Sequence, residues 1–309
     1  MTDTGIPWSL EDTRRQIRVP TSTDDKYRRG VLGVRTGSVR YPGAAVLGVE
    51  AALHTGVGMV RYVGPDSVGH AVLARRPEAV LGSGRVQALL IGSGMEPLDP
   101  EGADARALAD ALETGIPAIL DAGAIGLVAH HPGARLLLTP HAGELAGLFL
   151  AHPDERRHEG IPDTPEGLRA WIEARPELAA SCAAERWGVS VLLKGAHTVA
   201  AAPGEAALLL PAATPWLASA GTGDVLAGAI GALAASGFGS GSGPGFGSDS
   251  VAASASGSTE LTPSLARIAA AGAHLHALAA ERASAGGPLL ALDLAHALSE
   301  TVAEVLRTA

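Results

Sequence analysis

The chain has 309 residues, 47% of them hydrophobic, so it carries ample material for a buried core, and disorder throughout is excluded. Its 23 basic and 32 acidic residues leave a net charge of −9, which offers no footprint for nucleic acid or an anionic membrane and favours a small-molecule partner. The single cysteine, Cys182, rules out an internal disulfide framework and fits a reducing compartment.

The opening stretch MTDTGIPWSLEDTRRQIRVP is charged and has no apolar centre of signal length. No later stretch is apolar for long enough to span a bilayer, so the expected location is cytoplasmic. After this polar leader, VLGV (Val31 to Val34) reads as a short buried strand, followed by a Gly-rich turn and an alanine-rich helix from about Ala44 to His54. GMVRYV (Gly58 to Val63) is the next strand. The alternation continues with ALLI (Ala88 to Ile91), a helix near Asp104 to Glu113, AILD around Ile119, LLL before Thr139 and VSVLLK (Val189 to Lys194). Short unbroken apolar runs alternating with helices predict an α/β fold with a mainly parallel sheet covered on both faces. HTVAAAP and AALLLP flank a short GEA turn and read as a hairpin at the sheet edge. Two outer helices are expected over roughly Leu261 to Ser284 and Leu292 to Arg307. Ser236 to Ser258 is dominated by Gly and Ser and reads as a flexible surface insertion rather than a lid, within one domain spanning 1–309.

In open parallel sheets, ligands gather beyond the carboxyl ends of the strands. Five loops are expected there: RTGSVRYPGAA, GSGME, DAGAI, TPHAGE and KGAHT. A further segment, Gly221-Thr222-Gly223-Asp224, opens a strongly apolar helix with two glycines, which costs about 1 kcal/mol unless close approach to the backbone is needed. Its amides, lacking acceptors at a helix start, suit an anion such as a transferring phosphoryl group. Asp224 has two readings at this point, a helix cap or a general base that takes a proton from a substrate hydroxyl. No G-x-x-x-x-G-K-[ST], G-x-G-x-x-G or G-x-S-x-G occurs, which disfavours a P-loop NTPase, an ordinary dinucleotide dehydrogenase and a serine hydrolase. His141, beside Thr139 and Glu144 in a rim loop, is a candidate ligand contact. Lys194, one of two lysines, ends a strand and can aim its ammonium at phosphates. The pairs His130/His131 and His274/His276 lack metal-ligand spacing and read as surface residues, and no metal ligands are assigned.

Taken in order, YPGAAVLGVEAALHTGVGMVRYV, IGSGM, ILDAGAI, LLLTPHAGELAGL, VLLKGAHTVAAAP and WLASAGTGDVLAGAIGALAA resemble the NAD(P)H-hydrate dehydratase family, carbohydrate-kinase-like members of the ribokinase-like superfamily. The resemblance covers roughly residues 26–235. It implies a ribokinase-like three-layer αβα sandwich and a metabolite-repair lyase. Such an enzyme dehydrates (S)-NADHX and (S)-NADPHX to NADH and NADPH with ADP or ATP as phosphoryl donor and Mg²⁺ as cofactor. By matching positions, Ala44, Gly94, His141 and Asp224 would contact the hydrated nicotinamide, and Lys194, Gly195, Ala196, His197, Thr198 and Gly223 the adenine nucleotide. Asp224 would be the base, with Gly221, Thr222 and Gly223 as the anion hole. The family pattern also implies a homotetramer and a separate epimerase for the R epimer, since the chain leaves no room for an epimerase domain. Arg35 stands where a small residue is common. The nearest rival is a hydroxymethylpyrimidine or thiazole kinase of the same superfamily, which the TPHAGE loop argues against.

Overall fold

The computed structural model describes residues 5–153, 161–238, 245–246 and 264–308. The leader contributes β1 (Ile6–Pro7) and α1 (Leu10–Arg15), which the composition gives no sign of; then follow β2 (Val31–Arg35), α2 (Pro42–Thr55), β3 (Met59–Tyr62), α3 (Asp66–Arg75), β4 (Val80–Leu81), β5 (Gly84–Arg85) and β6 (Ala88–Ile91). The middle of the chain forms α4 (Ala103–Glu113), β7 (Ala118–Leu120), a 3-10 segment (Ala122–His130), β8 (Leu136–Leu138), α5 (Ala142–Ala151), α6 (Pro165–Ala174) and α7 (Pro176–Trp187). Last come β9 (Ser190–Leu193), β10 (Val199–Ala201), β11 (Leu208–Leu209), α8 (Thr222–Gly237), β12 (Gly245–Phe246), α9 (Leu265–Ser284) and α10 (Ala291–Arg307). The predicted strands and helices agree with these to within a few residues. Residues 261–263 of the predicted helix, and most of the predicted insertion at 236–258, lie outside the described residues.

Ten of the described strands form a sheet in the order β1-β11-β10-β9-β8-β7-β6-β2-β3-β4, with β10 antiparallel to both neighbours and every other pairing in it parallel, while β5 and β12 form a separate antiparallel pair. The hairpin expected at the edge is β10–β11, but β1 pairs beyond it and covers that edge. Period-two alternation sends the strand side chains to two cores. Leu32, Val34, Leu90, Ile119, Leu137 and Leu192 pack under α2, α8, α9 and α10. Val31, Leu89, Ile91, Leu120, Leu136, Leu138 and Val191 pack under α4, α5, α6 and α7. Such a layer stands because each buried Leu, Ile or Val contributes about 1.5–3 kcal/mol over an exposed one. The expected three-layer αβα sandwich is therefore the observed one.

Strand order places the ligand crevice. The chain runs outward from β2 to β3 and β4, then crosses back to β6 on the other side of β2, so the direction of winding reverses between β2 and β6. The loops after these two strands diverge there and open a cleft at the carboxyl edge. Helices α2 and α8 pack side by side on this edge because Gly228 meets Gly48: a Cβ on Gly228 would lie 2.2 Å from the Gly48 carbonyl oxygen. Gly228→Ala is therefore expected to destabilise the fold by about 2 kcal/mol and to lower the melting temperature by roughly 3 °C. Gly147→Ala, on α5 with open space around the new methyl, is expected to be neutral or stabilising in the same thermal scan.

Two turns into α2, the fully buried Glu50 accepts from Arg75 Nε at 2.5 Å and Arg76 Nε at 2.7 Å, with His54 and His296 beside it. The imidazole Nε2 atoms of His54 and His296 face Arg76 and Arg75 as acceptors, at 2.6 and 3.0 Å. With its carboxylate and both ring nitrogens engaged by guanidinium groups, this cluster is an ion network tying α2 to α3 and α10, not a metal centre.

Candidate active site

The carboxyl ends of β6, β7, β8 and β9 converge on one buried carboxylate. Asp121 follows β7 directly; its Oδ2 accepts from Ser93 Oγ at 2.8 Å, and its Oδ1 accepts from Thr139 Oγ1 at 2.7 Å and Lys194 Nζ at 2.9 Å. These three donors come from the loops after β6, β8 and β9, so parallel register alone assembles the network. The Asp121 side chain is 5% exposed and that of Lys194 21%. Burial disfavours the Lys194 charge, but Asp121 and Glu144 outweigh it and hold the ammonium above the usual lysine range. Glu144 Oε2 lies 3.9 Å from Lys194 Nζ.

Across from Lys194 stands the start of α8. A Cβ on Gly223 would come within 4.0 Å of Lys194 Nζ, so the helix opens toward the ammonium. Gly221 is the N-cap residue, at φ +89°, and a side chain there would strike Leu47 of α2 and Ala291 of α10. A glycine is required on both counts. Thr222 closes the turn by donating from Oγ1 to the carbonyls of Leu217 and Ser219, at 2.8 and 2.9 Å. The first bond of the helix runs from Val225 N to Gly221 O and the Thr222 amide leans on the Ser219 carbonyl at 3.5 Å, which leaves the amides of Gly223 and Asp224 without intrahelical acceptors.

Asp224 belongs to this first turn, yet the helix has no side-chain capping bond. Asp224 stands three residues past the Gly221 N-cap, so it makes no N-cap bond, and its place in the first turn is open to both a dipole partner and a base. Burial, with the nearby Asp121 charge, pushes the Asp224 carboxyl up to about 6 against the opposing pull of Lys194. A carboxylate tuned to that range, at a helix start beside an ammonium, can accept a proton near neutral pH.

The remaining expected residues occupy the same rim. His141 is the N-cap of α5: Glu144 N donates to His141 Nδ1 at 3.1 Å, and His141 N donates to Glu144 Oε2 at 2.7 Å. The TPHAGE motif is thus a capping box; the His141 side chain is 60% exposed, with Nε2 3.7 Å from Glu144 Oε1. Gly94 and Ala44 meet at the β2–β6 reversal; a Cβ on Gly94, at φ +65°, would lie 2.3 Å from the Ala44 Cβ. Gly195, Ala196 and His197 form the exposed turn from β9 to β10, and Thr198 Oγ1 donates to the Gly195 carbonyl at 3.2 Å. Arg35 extends to α4, where Nε and NH2 bind both carboxylate oxygens of Asp104 at 2.7 and 2.9 Å.

One sequence reading is corrected. His274 and His276 are not surface residues; both are buried within α9. His274 Nδ1 lies 2.8 Å from Thr13 Oγ1, and His276 Nε2 lies 2.9 Å from the Thr222 carbonyl at the start of α8. The helix around them, LARIAAAGAHLHALAA, is apolar on every side, and that pattern marks its central residues as buried. Asp121 and Ser93 join the site from DAGAI and GSGME, two loops the sequence places on the rim without marking these residues.

Comparison with known proteins adds the family. The chain is 42% identical to the bifunctional NAD(P)H-hydrate repair enzyme Nnr of Mycobacterium tuberculosis over 244 residues, which cover 75% of this chain and 46% of that protein. It thus spans about half the length of the curated relatives it matches most strongly. It is 32% identical to the ADP-dependent (S)-NAD(P)H-hydrate dehydratase of Xanthomonas campestris over 240 residues, covering 71% of this chain and 77% of that protein. The crystal structure of the ADP/ATP-dependent NAD(P)H-hydrate dehydratase from Bacillus subtilis, co-crystallised with ATP/Mg²⁺, superposes with a TM-score of 0.75 over 98% of this chain and 99% of that one, at 22% identity. The fold is ribokinase-like. The family model described as NAD(P)H-hydrate dehydratase matches residues 32–303, and the chain belongs to that family.

Proposed function

We propose that the chain, as one domain over residues 1–309, dehydrates (S)-NADHX and (S)-NADPHX to the reduced nicotinamide nucleotides, with ADP as phosphoryl donor, ATP being the alternative. The observation that carries this reading is the juxtaposition of Asp224, the first-turn amides of α8 and the Lys194–Asp121 pair. Asp224 takes the proton from the C6 hydroxyl of the hydrated ring as its oxygen attacks the terminal phosphorus of the nucleotide, and the bond from that phosphorus to the bridging oxygen breaks, releasing AMP from ADP (or ADP from ATP). The amides of Gly221 to Gly223 and the Lys194 ammonium offset the charge that grows on the transferring group. Phosphorylation converts hydroxide, a poor leaving group, into phosphate, and loss of phosphate with a ring proton restores the dihydropyridine.

His141, Gly94 and Ala44 border the substrate end of the cleft, and the Gly195–Thr198 turn the nucleotide end. Three carboxylates, Asp121, Glu144 and Asp224, share the one ammonium of Lys194, a balance that suits a divalent cation arriving with phosphates. Asp121 already accepts from Ser93, Thr139 and Lys194, and Glu144 from His141 N, so Mg²⁺ is expected to arrive on the nucleotide phosphates rather than in a protein cage. When bound it screens charge on the nucleotide phosphates. No described helix is long and apolar enough to cross a membrane, and we place the enzyme in the cytoplasm, as a homotetramer supplied with the S epimer by a separate epimerase.

The test is the return of reduced-nicotinamide absorbance when the purified protein meets (S)-NADHX and Mg²⁺, with ADP and ATP in parallel. A nucleotide-dependent rise with release of phosphate is expected; a stable phosphorylated product would instead establish a metabolite kinase. The same assay run against pH reads Asp224. With its carboxyl raised to about 6, the base is protonated below that value, so kcat/KM is expected to climb through about pH 6 and level off above it. A profile that is flat from pH 5 to 8 would remove Asp224 as the base.

A further inference from the structure

We propose that His276 positions the Gly223 amide, and through it the anion hole at the start of α8, by donating from Nε2 to the Thr222 carbonyl. The bond is 2.9 Å long and joins α9 to α8 in the buried layer. The Thr222 carbonyl and the Gly223 N–H are the two ends of one peptide unit, planar and trans, so they point in opposite directions. Fixing the carbonyl against α9 turns the N–H toward the rim, where Lys194 stands opposite. Polarisation along the same unit strengthens the N–H as a donor. This inference rests on the phosphoryl-transfer reading of the site.

Beyond the backbone ladder of α8, the flanking residues give this peptide no side-chain support. Gly221 and Gly223 on either side of Thr222 have no side chains with which to hold a peptide plane. The Thr222 hydroxyl secures the turn that precedes the helix through Leu217 and Ser219, but it does not touch the 222–223 peptide. That peptide is gripped from α9 by His276. A carbonyl can only accept, so Nε2 carries the proton. Burial, together with the nearby Lys194 charge, pushes the imidazole down to about 4 despite the bond to Thr222, so the ring stays neutral at working pH. His274, two residues earlier on the same helix, binds Thr13 of α1 instead, which makes it the internal control.

The experiment compares His276→Leu, which has no donor, with His276→Gln, whose amide can donate at similar reach, and with His274→Leu. For His276→Leu, kcat is expected to fall about 10- to 100-fold while KM for the hydrate and for ADP stays within about 3-fold, because only the transition-state charge loses its donor. His276→Gln recovers most of the loss, and His274→Leu keeps the wild-type kcat. If His276→Leu does not fold, His276→Asn, whose amide stops short of the carbonyl, takes its place.

A second readout is independent of the hydrate: affinity for AMP, the nucleotide left when ADP gives up its phosphoryl group, measured with and without aluminium fluoride, a mimic of the transferring group (ADP takes the place of AMP where ATP is the donor). The wild-type protein tightens with fluoride, and His276→Leu does not. Full kcat and full tightening in His276→Leu overturn the proposal, as does a loss that His276→Gln fails to restore. A wild-type protein that shows neither dehydration nor tightening overturns the phosphoryl-transfer reading itself, and the anion hole with it.

Discussion

Asp224→Asn is expected to lower kcat by about 10²- to 10⁴-fold while leaving ADP affinity nearly unchanged. The amide is isosteric and can still sit at the helix start, but it cannot take the proton from the attacking hydroxyl. Stability gives a second, independent reading. The folded-state carboxyl is raised from 3.8 to about 6, so the folded state disfavours the charged form. That contribution to stability is present below about pH 4, lost as pH rises through about 6, and absent at pH 8. A neutral Asn avoids the cost, so the variant should be more stable than the wild type at pH 8, by about 1–3 kcal/mol, with the gap closing at pH 4. Thermal melts at the two pH values check this. A variant that is inactive and less stable at pH 8 would mean that Asp224 serves the helix rather than the chemistry.

The parts of this site that were legible in the sequence are those whose chemistry is local. Gly221 to Asp224 announced itself because two glycines at the start of an apolar helix are locally unfavourable, and the observed φ of +89° at Gly221 with Leu47 against it gives the cause. The strands were legible because a strand buried on both faces reads as a short unbroken apolar run, as in ALLI and LLL. What could not be read is what depends on strand order. Asp121 looks like any residue after a strand until Ser93, Thr139 and Lys194 arrive from three other loops. Strand order also creates the β2–β6 reversal, which no local pattern encodes.

His141 shows the opposite case. Its motif was noticed and placed on the rim, but much of the TPHAGE pattern is accounted for by a capping box in which the imidazole does the work usually left to Ser or Thr. Metal-ligand spacing reveals nothing of His276. The informative question was how two histidines come to stand in the middle of a helix that is apolar all round. A polar side chain buried in such a place must find a partner, and the Thr222 carbonyl is that partner.

Lys194→Met separates the two things that Lys194 does. The ammonium faces the start of α8, where it offsets charge on a transferring phosphoryl group, and it also neutralises a carboxylate that is 5% exposed. Removing it should lower kcat/KM for the nucleotide by about 10²- to 10³-fold. It also leaves Asp121 with only the hydroxyls of Ser93 and Thr139, and stranding a buried charge in this way costs about 3 kcal/mol. The double variant Asp121→Asn with Lys194→Met removes both charges together. Its melting temperature should recover most of the loss, because a neutral amide bonded to two hydroxyls needs no counter-ion. Its activity should not recover, since no cation then faces the phosphoryl group. If the double variant regains activity along with stability, Lys194 acts only to hold Asp121, and the cation at the transferring group must come from elsewhere. If it regains neither, the Asp121 carboxylate has a role of its own, which the three loops converging on it would then serve.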